Sequence, residues 1–213
     1  MENKLFSAKA LCRSGVIAAL YVALTVSFGS LSFLGGLQVR PSEGLCMLPL
    51  IYPEAVLALT VGCFISNLFS PFAVFDVTLG VGATLLAAIC TRLIGKAIAN
   101  SKKTLPLKIV LGGLFPVLFN AAIVPLIVFF GSTGTGEITV AAYFAMAWEV
   151  GLGEAIWVYA VGTPLILFCN RQLAKNNPFF AVTDRKCVKR QAKKAKSPEK
   201  TEQKIDKPVF NAV

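Results

Sequence analysis

The feature that most constrains this chain is a series of long apolar runs separated by short polar segments. Four runs, 14–34, 76–98, 106–130 and 138–169, are each long enough to cross a bilayer as a helix, which takes about 20 residues. A soluble domain with 55% hydrophobic and 15% charged residues would lack the polar side chains needed to cover its surface. We therefore predict an all-α integral membrane protein.

A fifth apolar stretch, 42–69, is too long for one straight span, and Pro49 and Pro53 interrupt it. Proline lacks a backbone N–H donor and its ring clashes with the preceding helical turn. The sequence therefore predicts a break at 49–53 that divides this stretch into two short helices. Together with the four long runs, these make a bundle of six transmembrane helices.

The distribution of basic residues predicts the orientation of this bundle. Lys and Arg precede the first run, surround the segment 97–107 and fill the region after Asn170, whereas the loops 70–75 and 131–138 contain none. Cytoplasmic loops carry the excess of Lys and Arg in membrane proteins. We expect both termini and the 97–107 loop to lie in the cytoplasm of a cell-membrane protein. An even number of crossings must then precede that loop, which agrees with two short helices in 42–69.

The chain divides by composition into a membrane domain, 1–172, and a tail, 173–213. Twelve of the 21 Lys and Arg residues lie after Asn170, in a segment that prolines interrupt and that has few aromatic residues. Such a composition is typical of disorder. The tail could contact anionic lipid, or it could be solvated without a function of its own.

Ionisable and amide side chains occur inside or beside the apolar runs. A charge at the centre of a membrane helix costs about 2.5–3.5 kcal/mol on insertion scales, so each one asks for a partner or a ligand. With the predicted orientation, nearly all of these groups lie toward the outer surface. We predict that they form a substrate pocket that opens outward and is completed by two tryptophans. The candidate residues are Gln38, Arg40, Glu43, Asn67, Asp76, Asn120, Trp148, Glu149, Glu154 and Trp157.

Structural explanations exist for several of these residues. Asp76 could cap a helix start, where a carboxylate favours the positive end of the helix dipole. Arg40 and Glu43 could pair with each other, and the tryptophans could belong to an interfacial aromatic belt. Glu149 and Glu154 are harder to explain in this way, because both lie within an apolar helix.

Other motifs bear on partners and energy supply. Ala19 and Ala23 are small residues four apart on the first helix, a spacing that permits close packing or, on an exposed face, docking of another helix. The chain has no P-loop motif, so it does not hydrolyse ATP by that route. It has no histidine and no catalytic motif. We expect a non-enzyme without metal or cofactor, which binds no nucleic acid and whose energy for uptake comes from another subunit.

Residues 5–172 resemble the QueT family, and five sequence blocks carry the resemblance. The blocks are QVRPSEGL (38–45), GCFISNL (62–68), DVTLGVGATLLAA (76–88), PVLFNAAIV (116–124) and GLGEAIWVYAVGTPLIL (151–167). The resemblance implies the substrate-binding component of an energy-coupling-factor transporter for queuosine precursors. It also implies a membrane coupling subunit and two cytosolic ATPases as partners, with Ala19 and Ala23 on the docking surface.

For a 7-deazaguanine ligand, the resemblance and the chemistry of a guanine-like edge suggest roles. Glu149 or Glu154 would accept its N–H groups, the amides and Arg40 would satisfy its carbonyl oxygen, and a tryptophan would stack on its ring. Three alternatives remain open at this point. The ligand could be a vitamin such as a flavin or folate, the two glutamates could serve a membrane-embedded enzyme acting on lipid, or the protein could be purely structural.

Overall fold

The computed structural model describes residues 7–33, 38–98, 101, 103–133, 139–175 and 177–181. Within these residues the secondary structure is helical and there is no strand, which confirms the all-α prediction. There are also two 3-10 helices, Gly29–Ser32 and Pro41–Leu50. The α-helices are α1 (Ala8–Ser27), α2 (Ala55–Asn67), α3 (Ala73–Ala97, with a π-helical turn at Asp76–Gly80), α4 (Leu105–Thr133) and α5 (Val140–Ala174).

Four of these helices, α1, α3, α4 and α5, are long and apolar enough to cross a membrane. The chain is therefore a multi-pass membrane protein. The 13-residue α2 is apolar but shorter than a full span, and the 3-10 helix Pro41–Leu50 precedes it. Whether these two short helices complete a six-crossing topology, and on which side the termini lie, stays a prediction.

Helix α1 begins six residues before the predicted apolar run and ends at Ser27. Ser7 caps its first turn by accepting a hydrogen bond from the Ala10 N–H, at 3.2 Å. Hydropathy alone does not predict this helix start, because the first turn contains polar residues. Arg13 is only 4% exposed there, and its Nε donates to Glu54 Oε1 at 2.6 Å. A buried charge of this kind is tolerated when it is paired.

The 42–69 stretch breaks where the prolines predict, between Leu50 and Ala55. Its first part is a 3-10 helix of ten residues and not an α-helix, although 3-10 runs of more than three or four residues are uncommon. Pro49 lies inside it and has no N–H to donate. All ten of its residues are buried, and it packs chiefly against α5.

Close backbone approach fixes the 3-10 helix against α5. A Cβ atom added to Gly162 would lie 2.5 Å from Met47 Cγ and 2.9 Å from the Gly44 carbonyl oxygen. A Cβ on Gly44 would lie 2.6 Å from Val161 Cβ. Small residues let helix backbones approach closely within membranes. This contact holds the start of the 3-10 helix, at Arg40, beside the middle of α5.

Helix α4 contains Pro116, which leaves the carbonyl oxygen of Gly112 without its usual helical donor. Thr91 on α3 supplies one: its Oγ1 donates to Gly112 O at 2.8 Å. Thr91 is completely buried. An unsatisfied carbonyl is costly in an apolar interior, so this bond lets α4 continue through the proline.

Beyond α5, the segment 177–181 is tied to the start of the bundle. Arg13 Nη1 donates to the carbonyl oxygens of Phe179 and Ala181, at 2.9 and 3.2 Å, and Tyr52 OH donates to that of Phe180 at 3.2 Å. The guanidinium carbon of Arg13 also lies 4.3 Å from the Tyr52 ring centroid. Most of the predicted disordered tail, residues 182–213, lies outside the described residues.

Replacing Thr91 by Val tests the proline compensation. The substitution keeps the side-chain shape but leaves Gly112 O without a donor, and we expect the free energy of unfolding to fall by about 1–3 kcal/mol. Thermal unfolding in detergent measures the change. Thr60→Val is the control, since Thr60 Oγ1 donates only within its own helix, to Val56 O at 2.8 Å. Equal midpoints for the two variants would contradict this explanation.

Candidate functional site

Arg40 is a buried cation at the start of the 3-10 helix. Its side chain is held loosely: Nη2 donates to Asn67 Oδ1 at 3.4 Å, and Nε lies 3.8 Å from Glu43 Oε1. Nε has no hydrogen-bond partner among the described residues. The guanidinium carbon lies 5.6 Å from the ring centroid of Phe33. Charge-assisted hydrogen bonds usually measure about 2.7–2.9 Å, so the guanidinium keeps free donor capacity.

Glu43 lies behind Arg40 and is held tightly. It is 1% exposed, and it accepts a hydrogen bond from Tyr21 OH at 2.7 Å and one from the Cys46 thiol at 3.1 Å. The pairing of Arg40 with Glu43, one of the structural explanations open at the sequence level, is therefore present. The contact between the two is long, at 3.8 Å, although Glu43 itself is firmly held by its other partners.

Glu154 is a second buried carboxylate, in the middle of α5. It is 6% exposed, and Asn120 Nδ2 on α4 donates to its Oε1 at 2.6 Å. Its other oxygen, Oε2, is buried without a hydrogen-bond partner in the described part of the chain. A buried carboxylate oxygen in this condition carries an unmet capacity to accept a hydrogen bond.

Arg40 and Glu154 line one cleft between the start of the 3-10 helix and α5. Gln38, Val150 and Trp157 complete its lining, and the space between the lining atoms, open solvent included, is about 190 Å³. Gln38 and Trp157 are both partly exposed. The cleft thus combines a cation and an anion with free hydrogen-bonding capacity, an amide and an aromatic ring.

With both of its carboxyl groups ionised, the charges around this cleft would not balance by themselves. Glu43 and Glu154 are two buried carboxylates, and Arg40 is the only cation among the described residues that contact or line the cleft with them. Burying an unpaired carboxylate in an apolar interior is costly. A ligand that donates hydrogen bonds or carries positive charge would lower that cost at Glu154.

Asn67 and Asp76 lie one layer behind the cleft. Asn67 is 1% exposed and connects Arg40 to the turn at Asp76. Its oxygen accepts a hydrogen bond from Arg40, and its Nδ2 donates to the Asp76 carbonyl oxygen at 2.9 Å. Asp76 begins the π-helical turn, and its carboxylate accepts a hydrogen bond from Ser70 Oγ. Asn67 therefore orients Arg40, and Asp76 stabilises the 70–76 turn through Ser70. Neither residue lines the cleft.

Trp148 and Glu149 lie on a different face of α5 from Glu154. Trp148 is 69% exposed and Glu149 is also exposed. Neither lines the cleft described above. The structure therefore brings together Gln38, Arg40, Glu154 and Trp157, with Asn120 and Glu43 in support.

Tyr21 and Cys46 belong to this site and were missed by the sequence argument. Neither was among the candidate residues, since both lie within hydrophobic segments. Tyr21 carried a usable signal, since a buried tyrosine hydroxyl usually finds a polar partner. Cys46 carried none beyond its spacing of three residues from Glu43. Within the described residues, no cluster of three or more His, Cys, Asp or Glu could hold a metal ion.

Comparison with known proteins decides the family. Residues 11–171 match the profile of a family described as QueT transporter. The chain belongs to the QueT transporter family. The matched region includes every residue of the cleft and all of α2, α3 and α4. Searches of curated proteins and of solved structures returned no significant match.

The Asn120–Glu154 contact yields a test that needs no ligand. Asn120→Leu removes the one hydrogen-bond donor that Glu154 has among the described residues, and hydrogen bonds to charged groups contribute about 1.5–3 kcal/mol. We expect a loss of stability of that size, read from chemical or thermal unfolding. Glu154→Leu added to Asn120→Leu should recover much of it, because no carboxylate is then left buried. A double variant less stable than Asn120→Leu would contradict this account.

Proposed function

We propose that this QueT-family transporter is the substrate-binding component of an energy-coupling-factor importer, and that it captures a queuosine precursor, a 7-deazaguanine base, from outside the cell. One observation carries the proposal. Arg40 and Glu154 face the same cleft, each is more than nine-tenths buried, and each has a polar atom without a hydrogen-bond partner in the described residues.

The chemistry of a guanine-like edge is complementary to this pair. Such an edge presents N–H donors beside a carbonyl oxygen, so Glu154 Oε2 can accept from the donors while Arg40 donates to the oxygen. The Gln38 amide offers both a hydrogen-bond donor and an acceptor, and the flat face of Trp157 suits stacking on a bicyclic ring. An aminomethyl group on the base would offer a positive charge as a further reason for a carboxylate in the site.

The size of the cleft requires side chains to move on binding. As it stands the cleft has almost no enclosed room for a ligand, because its space of about 190 Å³ includes open solvent. Gln38 and Trp157 are the partly exposed members of the lining, so they have the freedom to turn outward. Glu154 is held by Asn120 of α4 and would stay in place, whereas the loosely held guanidinium of Arg40 can adjust to the ligand.

The proposed partners fit the surface of α1. Its buried face consists of Ala10, Arg13, Ile17, Tyr21 and Thr25, and Ala19 and Ala23 lie on the exposed side. We propose that this exposed small-residue face docks the membrane coupling subunit, which in turn binds two cytosolic ATPases. Both termini would then lie in the cytoplasm, as the basic loops predict.

Glu154→Gln tests the proposed ligand carboxylate. The amide keeps the volume but loses the charge, and we expect affinity for 7-aminomethyl-7-deazaguanine to fall about 10- to 100-fold, the equivalent of one hydrogen bond to a charged group. Calorimetry or ligand-dependent thermal stabilisation of the purified protein measures this. Glu149→Gln is the matched control, because that carboxylate lies five residues earlier on the same helix and is exposed.

Two results would overturn the proposal. One is stabilisation by flavin or folate but by none of the 7-deazaguanine bases; the other is an equal loss of affinity in the Glu149 and Glu154 variants. Uptake of radiolabelled base into vesicles that contain the chain, a coupling subunit and the ATPases should depend on ATP. Uptake without ATP would contradict the proposed energy source.

A further inference from the structure

Glu43 differs from the other charged groups of the site because it is completely enclosed. It is 1% exposed and does not line the cleft, so it has no route to a bound ligand. Its Oε1 accepts from Tyr21 OH at 2.7 Å and lies 3.8 Å from Arg40 Nε. One carboxylate oxygen therefore joins a tyrosine of α1 to the cation of the cleft.

The two contacts at this oxygen differ in strength. The Tyr21 bond has the length of a strong O–H to carboxylate hydrogen bond, whereas the arginine contact is nearly 1 Å longer than a charge-assisted one. The Cys46 thiol holds the other carboxylate oxygen at 3.1 Å. Glu43 is thus fixed by α1 and the 3-10 helix, and the guanidinium is free to adjust around a fixed negative charge.

Tyr21 is itself rigidly placed. It is completely buried on the inner face of α1, and α2 approaches it so closely that a Cβ on Gly62 would lie 2.9 Å from Tyr21 Cβ. Among the described residues, its hydroxyl donates to Glu43 Oε1 at 2.7 Å and also interacts with the Cys63 thiol. A phenylalanine would fill the same space, so packing alone does not account for the hydroxyl.

We propose that Tyr21 and Glu43 are positioning residues for Arg40. The Tyr21 hydroxyl fixes the Glu43 carboxylate, whose negative charge keeps the guanidinium at the edge of the cleft while its donors stay free to adjust to a ligand. Neither residue touches the ligand. The inference rests on the proposed function only in assigning Arg40 to the ligand; the connection among the three side chains stands on the distances.

Tyr21→Phe is the principal variant. Removing the hydroxyl leaves Glu43 less firmly oriented, and we expect affinity for 7-aminomethyl-7-deazaguanine to fall about three- to tenfold, as for one ordinary hydrogen bond. Tyr52→Phe is the matched control. Tyr52 is also almost completely buried, but its hydroxyl donates to Phe180 O, away from the cleft. Equal affinity in wild type and Tyr21→Phe would overturn the proposal.

A double-mutant cycle separates positioning from a general structural effect. In an Arg40→Gln background, Tyr21→Phe should change affinity little further, because the residue it positions is gone. A tyrosine that supported only the fold would weaken binding by the same factor in both backgrounds. That equal factor would refute the positioning role.

A measurement without ligand keeps this inference distinct from the proposed function. If Tyr21, Glu43 and Arg40 act as one unit, the shifts in unfolding midpoint caused by Tyr21→Phe and Arg40→Gln will not add in the double variant. Additive shifts overturn the inference even if the base binds. Non-additive shifts in a protein that binds no 7-deazaguanine leave the connection established and the proposed ligand wrong.

Discussion

The arrangement around the cleft depends on how two buried carboxylates and one guanidinium share an apolar interior. Glu43 receives a tyrosine hydroxyl and a thiol, whereas Glu154 receives one amide and keeps one oxygen without a partner. Desolvating a charge is costly unless hydrogen bonds and opposite charge compensate it. The compensation is nearly complete at Glu43 and incomplete at Glu154. This difference separates a group that supports the site from one available to a ligand.

The backbone around this charge arrangement is unusual for a membrane protein. A buried 3-10 helix carries Glu43 at its start, and its close approach to α5 at Gly44 and Gly162 brings Arg40 into the same cleft as Glu154. Protein buries all ten residues of this 3-10 helix, which is the condition under which irregular backbone is tolerated at membrane depth. Gly44 and Gly162 therefore allow an approach of the 3-10 helix to α5 that larger residues would prevent.

Helix α1 has two faces with different roles. Its inner face carries Arg13, Tyr21 and Thr25, which hydrogen-bond to other segments, while its outer side presents Ala19 and Ala23. The Tyr21–Glu43–Arg40 connection begins on the same helix as the proposed docking face. A shift of the guanidinium on ligand binding would thus reach α1 through only two side chains.

The sequence by itself determined the helical membrane architecture, the break between the two short segments and most of the polar residues from which the site is made, though not Tyr21 or Cys46. These follow from local causes: long apolar runs, proline geometry and the cost of charge in lipid. It treated Glu149 and Glu154 alike, and likewise Trp148 and Trp157. At about 100° per residue, the two glutamates point roughly 140° apart and the two tryptophans about 180° apart, so each pair divides between two faces of α5. Only the packing of α5 against α4 and the 3-10 helix decided that Glu154 and Trp157 face inward. The packing of α1 against the 3-10 helix brought Tyr21 to Glu43 across 22 positions of chain, a contact that no local pattern encodes because it depends on how separate helices meet.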